Sequence, residues 1–338
     1  MDLNSIWFLL VGVLLIGYAI LDGFDFGVGT LHLFTKGEEQ RRININAIGP
    51  VWDGNEVWLL TGGGALFAAF PIVYATVFSG FYVALMLLLL ALILRAVSLE
   101  FRSKVDSTEW RSVWDWAFGI GSLLPAVLLG VALGNILRGI PIDIDGTFRG
   151  SFVGLLNPYS ILVGVLTLVG SVMHGAMYMA VKTEGEQRQR MSRWVNGTWV
   201  AFVALYFGVS VATLFSASYL FQGLLKSPLF WVLFAVMLAS MLYIPVAVKA
   251  GKYFAGLLAS SAAIAAMFGL AAVSLFPRLV PSSINLRYSL TIYNASSTHR
   301  TLATMLVIAL IGMPIVLAYT ILIYRVFKGK VLLTKESY

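Results

Sequence analysis

Cysteine is absent from this 338-residue chain, which excludes disulfides, thiolate metal sites and cysteine nucleophiles. Histidine is scarce: His32, His174 and His299 are the whole supply, so an imidazole-rich metal centre has nothing to be built from. Charge is scarce as well. Only 12% of the residues are charged, where soluble domains carry roughly 25%. What fills the chain instead is apolar. It is 59% hydrophobic with a mean hydropathy of +0.88, more apolar surface than a soluble fold can hide. The composition predicts an all-α integral membrane protein, with lipid covering part of that surface.

A spanning helix needs roughly 20 mostly apolar residues. Nine segments qualify: 6–33, 51–70, 73–94, 115–136, 158–181, 195–217, 229–248, 254–276 and 302–324. The second and third are separated by little more than Pro71, which predicts a tight helical hairpin. The stretch Met1–Ser5 holds one acid, Asp2, and no Lys or Arg. The first span therefore lacks the basic start of a cleaved signal peptide.

The 23 basic residues are unevenly placed. Lys36, Arg41 and Arg42 fall in 34–50, and Arg95, Arg102, Lys104 and Arg111 in 95–114. Lys182, Arg188, Arg190 and Arg193 fall in 182–194, Lys249 and Lys252 in 249–253, and Arg325, Lys328, Lys330 and Lys335 after the last span. Those 17 share one side, against Arg138, Arg149, Lys226, Arg278, Arg287 and Arg300 on the other. The positive-inside rule places the larger group in the cytoplasm, the N-terminus outside and the C-terminus inside. The net charge of +7 is thus a topology signal, not the footprint of a nucleic-acid partner.

A faint internal repeat is present. Leu10-Val11-Gly12-Val13-Leu14 recurs at Leu162-Val163-Gly164-Val165-Leu166, and the same offset brings Gly23 onto Gly175 and Asp22 onto His174. Repeats of this kind underlie many membrane folds. The organisation expected is a first four-helix bundle over 1–136, a second over 137–276, and an external loop, ninth helix and cytoplasmic tail over 277–338.

Ionisable groups at membrane depth are costly, so each is a candidate functional residue. Asp22 and Asp25 lie three apart in the first span, and Asp53 and Glu56 three apart at the start of the second, so each pair shares a helix face. All four sit in the cytoplasmic half, Asp25 roughly 12 Å from the inner end at ~1.5 Å per residue. One reading is a proton route from the cytoplasm. The other is structural: Asp53 and Glu56 near a helix start favour the dipole, and Asp22 and Asp25 bond to neighbouring helices. Gly62, Gly63 and Gly64 point to close helix packing. Among the histidines only His174 lies well inside a span. A hydrogen-bonded core histidine is the plainer reading there, with haem ligation the lesser alternative. Two classes remain open on these grounds. One is a free-standing proton-coupled secondary transporter, the other a subunit of a membrane redox or proton-handling complex.

Specific motifs go further. Leu21-Asp22-Gly23-Phe24-Asp25-Phe26-Gly27-Val28-Gly29 is followed by Trp52-Asp53-Gly54-Asn55-Glu56-Val57-Trp58 and by Gly63-Gly64-Ala65-Leu66-Phe67-Ala68-Ala69-Phe70-Pro71. Then come Phe78-Ser79-Gly80-Phe81-Tyr82, Phe101-Arg102-Ser103-Lys104, Trp114-Asp115-Trp116, Phe276-Pro277, Pro281-Ser282-Ser283 and Ser289-Leu290-Thr291. Together they resemble subunit II of the cytochrome bd ubiquinol oxidase family, over nearly the whole chain. The resemblance implies two four-helix bundles with a peripheral ninth helix, in the bacterial cytoplasmic (inner) membrane. It implies a haem-free chain paired with a subunit I that carries haems b558, b595 and d. The complex oxidises quinol at the outer face and reduces oxygen to water with cytoplasmic protons, generating proton-motive force without pumping. Asp53 then matches the aspartate of a proton channel at the subunit interface, and Trp58 a tryptophan near the entrance of an oxygen tunnel. Asp22 and Asp25 match family positions of undefined role. Glu56 departs from the well-studied bacterial enzyme of the family, which has glutamine at the corresponding position. The external loops 137–157 and 217–228 look shorter than in longer members. A structural quinone and a small single-helix subunit are left open.

Overall fold

The structure, a computed structural model, describes residues 2–333; Lys335, counted above with the basic residues, lies outside them. Twelve α-helices make up most of it. In order they are α1 (Leu3–His32), α2 (Glu38–Ile48), α3 (Trp52–Ala69), α4 (Pro71–Gly80), α5 (Tyr82–Phe101) and α6 (Thr108–Arg138). Then come α7 (Phe152–Leu155), α8 (Pro158–Lys182), α9 (Gly185–Ser216), α10 (Pro228–Lys249), α11 (Tyr253–Leu275) and α12 (His299–Val326). Eight of these, α1, α5, α6 and α8 to α12 without a gap, are long and apolar enough to cross a membrane. The chain is an all-α, multi-pass membrane protein.

The expected second span is different in kind. It is α3, an 18-residue helix with Asp53, Asn55 and Glu56 in its first turns and three glycines in its middle, so its apolar content falls short of the other eight. The expected third span, 73–94, is divided at Phe81 (φ −98°, ψ 15°) into the 10-residue α4 and the longer α5. The connection at Pro71 is therefore not a tight hairpin but a short helix of its own. Thr76 on α4 donates to the Gly146 carbonyl at 2.9 Å, and Gly80 lies against Phe148, which fixes α4 beneath the 139–151 loop.

Local sequence sets the helix starts. Asp2 caps α1 by accepting from the Ser5 amide at 2.7 Å, and Ser107 caps α6 at the Trp110 amide. Asn157 caps α8, with Pro158 filling the first-turn position where no amide is needed, and Thr298 caps α12. Gly139 ends α6 with φ 85°, a conformation few side chains tolerate. Helices also run past the apolar segments. Most of the expected loop 34–50 is α2, and α9 begins at Gly185 rather than near 195. Hydropathy marks where lipid would end, whereas backbone hydrogen bonding continues into polar surroundings.

The fold is centred on α8. Two thirds of its apolar window (67%) is buried, against none (0%) of that of α12. A close backbone approach joins α8 to α1. A Cβ on Gly27 would fall 1.9 Å from the Ser171 carbonyl oxygen, and one on Gly175 would fall 2.6 Å from the Val28 amide nitrogen, so only glycine lets these backbones meet. The five-residue echo between these two helices is not an echo of packing. Gly12 faces open space, while Gly164 is pressed against Val127 and Val131 of α6. The same is true of Gly63 and Gly64, where close packing was expected: a Cβ on either would meet no atom of another element within 4 Å, and of the three only Gly62 lies against α1.

One end of the bundle is closed by a small irregular cap. Strands β1 (Arg278–Val280) and β2 (Leu290–Thr291) pair antiparallel, and Ile140 exchanges backbone hydrogen bonds with Pro281 and Ser283. Ile140, Ile142, Val280, Leu290 and Ile292 pack there against Trp7, Phe70 and Phe81. The opposite, basic end gathers His32, α2, the α5–α6 turn, the start of α9 and the C-terminal segment. There Val331 donates its amide to the Lys182 carbonyl, while Lys182 Nζ caps the Phe327 carbonyl.

Candidate functional site

Two of the four acids singled out in the sequence meet at one arginine, and a third, Asp25, lies one turn from Asp22 on the same helix. Asp22 and Asp25 lie on adjacent turns of α1, and Arg95 on α5; none of the three has exposed surface (0%). Arg95 Nη1 is 2.7 Å from Asp22 Oδ1, and its Nη2 bonds Glu56 Oε1 of α3. Its guanidinium also stacks over Phe26, with Cζ 4.5 Å from the ring centroid. One buried cation thus faces two carboxylates. Arg95 is no loop residue, as the charge count assumed, but an interior one. The only sequence signal for it was the need of Asp22 and Glu56 for a counter-ion.

Asp25 has different partners. Asn55 Nδ2 donates to Asp25 Oδ2 at 2.8 Å and to the Leu21 carbonyl at 3.2 Å, and the Tyr324 hydroxyl donates to Asn55 Oδ1 at 2.9 Å. This carboxyl is tied to a chain of neutral groups that reaches α12. Its Oδ1, the Tyr18 hydroxyl and the Trp58 indole nitrogen are buried without a hydrogen-bond partner among the described residues. Trp58 is buried at 7% exposure beside Gly17, where a Cβ would lie 2.1 Å from the indole. A group of polar atoms left unpaired in one region is the setting for internal water.

Asp53 stands apart from this cluster. It is exposed on the outer side of α3, one turn before Glu56, and makes no ion pair among the described residues. The structure therefore joins Asp22, Asp25 and Glu56, and leaves Asp53 at the surface of the chain.

A second polar cluster, at the basic end, was not singled out in the sequence. Asp115 on α6 accepts from Arg102 Nε at 2.5 Å and from Arg41 Nη1 at 2.6 Å, and His32 Nε2 lies 2.6 Å from its Oδ1. Arg102 also holds Glu38 of α2. One carboxylate ties together α1, α2, α5 and α6. Its signal in the sequence was Trp114-Asp115-Trp116, a motif of the family resemblance that assigns Asp115 no role of its own.

His174 is fully buried on α8. Its Nδ1 lies 2.6 Å from Ser260 Oγ of α11 and its Nε2 3.0 Å from the Ile20 carbonyl of α1. Both ring nitrogens are engaged, and His32 is taken up by Asp115. Among the described residues, no three His, Cys, Asp or Glu side chains are grouped to hold a metal. A haem iron therefore finds no free imidazole in the interior, and the residues present do not fit that group.

Comparison with known proteins agrees along the full length. A family model described as cytochrome bd terminal oxidase subunit II matches residues 3–327. The chain is 38% identical to the cytochrome bd-I ubiquinol oxidase subunit 2 of Escherichia coli K12, over 99% of this chain and 96% of that one. It is 40% identical to the cytochrome bd ubiquinol oxidase subunit 2 of Bacillus subtilis, over 98% and 97%. It is also 40% identical to a probable cytochrome oxidase subunit 2 of Haemophilus influenzae, over 97% and 95%. The fold matches a chain in the structure of the bd oxidase from Geobacillus thermodenitrificans with a TM-score of 0.81, covering 97% of this chain and 99% of that one at 17% identity. With its motifs, its eight apolar helices and these full-length matches in agreement, the chain belongs to the cytochrome bd terminal oxidase subunit II family.

Proposed function

We propose that this chain is the haem-free subunit II of a quinol:oxygen oxidoreductase in the bacterial inner membrane, with its N-terminus outside and its C-terminus in the cytoplasm. It supports a haem-bearing subunit I and supplies that subunit with protons and oxygen. Family membership displaces the transporter alternative. The lack of a free interior imidazole supports the assignment of all haems to the partner. The bundle division proposed from the sequence, 1–136 and 137–276 with α12 as the peripheral ninth helix, is supported by the exposure of α12 along its length.

The observation that carries the proton role is the line of acids from surface to interior. Asp53 is exposed on α3, Glu56 follows one turn deeper, and Arg95 links Glu56 to Asp22. Asp53 would take protons up at the face where subunit I docks. Arg95 fixes the charge of its two carboxylates, while Asp25, held only by neutral donors, is free to exchange its proton with internal water. Trp58, packed on α1 through Gly17, would border the oxygen path.

The test is Asp53→Asn in the assembled oxidase. Because Asp53 makes no internal ion pair, assembly and thermal stability stay at wild-type level while quinol-driven oxygen consumption falls severalfold. Wild-type turnover in a fully assembled variant would remove the proton role.

A further inference from the structure

The geometry points to a binding site for an anionic phospholipid, phosphatidylglycerol, in a groove between α8 and α9 at the basic end. The groove has a volume of about 570 Å³ and is lined by Val169 of α8 and by Arg190, Arg193, Trp194, Gly197 and Thr198 of α9. Its chemistry is graded along its length. Arginines stand at the mouth, an indole follows, and small and apolar residues continue into the membrane-spanning part.

That gradient follows the sequence of α9. The helix opens with the polar run Glu186-Gln187-Arg188-Gln189-Arg190 and becomes apolar past Asn196. Arg190 and Arg193 sit at the transition, where lipid phosphates lie, and Trp194 has the position of an interfacial aromatic. Three residues apart, the two guanidinium groups share one helix face. Arg190 is anchored through a hydrogen bond from Nη2 to the Phe34 carbonyl, which leaves its other donors available. Arg193 is exposed, and neither arginine pairs with a carboxylate among the described residues. Both are therefore unneutralised cations at headgroup depth, complementary to a net anionic phosphodiester. A zwitterionic headgroup brings its own ammonium to the same mouth and gains less.

The floor of the groove suits an acyl chain. A Cβ built on Gly197 meets no atom within 4 Å, so this residue holds no helix in place and borders empty space. Phe34 packs against Trp194, with ring centroids 5.5 Å apart, and steadies the indole.

The test is native mass spectrometry of the delipidated oxidase complex titrated with phosphatidylglycerol or phosphatidylethanolamine. The wild type retains phosphatidylglycerol preferentially. The double variant Arg190→Gln, Arg193→Gln loses that affinity by about 30-fold, since each basic residue at an anionic headgroup contributes about a factor of five. Gly197→Leu, which fills the groove without an internal clash, lowers retention with both arginines in place. A charge-matched control, Lys249→Gln with Lys252→Gln at the same end, leaves retention unchanged. Equal loss in that control would reduce the effect to general surface charge and overturn the site. Retention of both lipids alike would also overturn it. So would a complex that retains neither, because the partner subunit then covers this face.

Discussion

Arg95 Nη1 lies 2.7 Å from Asp22 Oδ1, and neither side chain has any exposed surface. Such a pair contributes little net stability beyond what a well-packed apolar pair would, but breaking it by removing one partner is expensive. Arg95 also serves Glu56, so its loss strands two acids. The pair thus fixes how α1, α3 and α5 meet, because the three helices share one cation.

Arg95→Gln is expected to destabilise the assembled protein by about 3–5 kcal/mol, the usual result of leaving a buried charge unpaired. Adding Asp22→Asn removes one stranded charge and restores part of the loss. Thermal unfolding in detergent checks both. A double variant no more stable than Arg95→Gln alone would mean that the ion pair is not what Arg95 supplies.

Tyr324→Phe deletes the hydroxyl that α12 donates to Asn55. The expected cost is about 1 kcal/mol, that of one hydrogen bond between neutral groups. Asn55→Leu is worse, at about 1–3 kcal/mol, because Asp25 Oδ2 is left without its donor. Melting curves of the two variants should fall in that order.

Gly27→Ala places a methyl group 1.9 Å from a backbone oxygen that cannot turn away, and the α1–α8 contact must open. A loss of about 1–3 kcal/mol, or more, is expected from such overpacking. Gly63→Ala faces open space within this chain and should be neutral or slightly favourable, by about 0.5–1 kcal/mol of helix propensity. If Gly63→Ala instead impairs assembly with the partner, subunit I is seated against α3. Denaturation midpoints and recovery of the complex distinguish these outcomes.

Asp115→Asn removes the anion shared by His32, Arg41 and Arg102. The basic end should loosen by about 3–5 kcal/mol. Limited trypsin digestion gives a local readout, since freed Arg41 and Arg102 side chains become cleavable. Unchanged digestion rates would show that α2 is held by other contacts.

The glycines divide in a way that spacing could not anticipate. Gly27 and Gly175 are required because two helix axes cross there, whereas Gly62 to Gly64, a denser run, are largely unpartnered within the chain. Composition is the same in both places. Only the crossing point differs, and that depends on residues far away in sequence.

By itself the sequence determined the membrane environment, eight of the nine expected spans at least in part, and three of the acids that later proved to be neighbours. It also determined the family, through motifs distributed along the whole chain. These are properties of local composition, of helical period, or of residue identity at fixed spacing. Tertiary structure alone decided that Arg95 is interior, that Asp53 is not part of the buried cluster, that Asn55 connects Asp25 to Tyr324, and that Asp115 is the hub of the basic end. The physical reason is the same throughout. A charge inside a low-dielectric bundle is tolerated only where an opposite charge or a donor meets it, and those partners come from helices separated by tens to hundreds of residues.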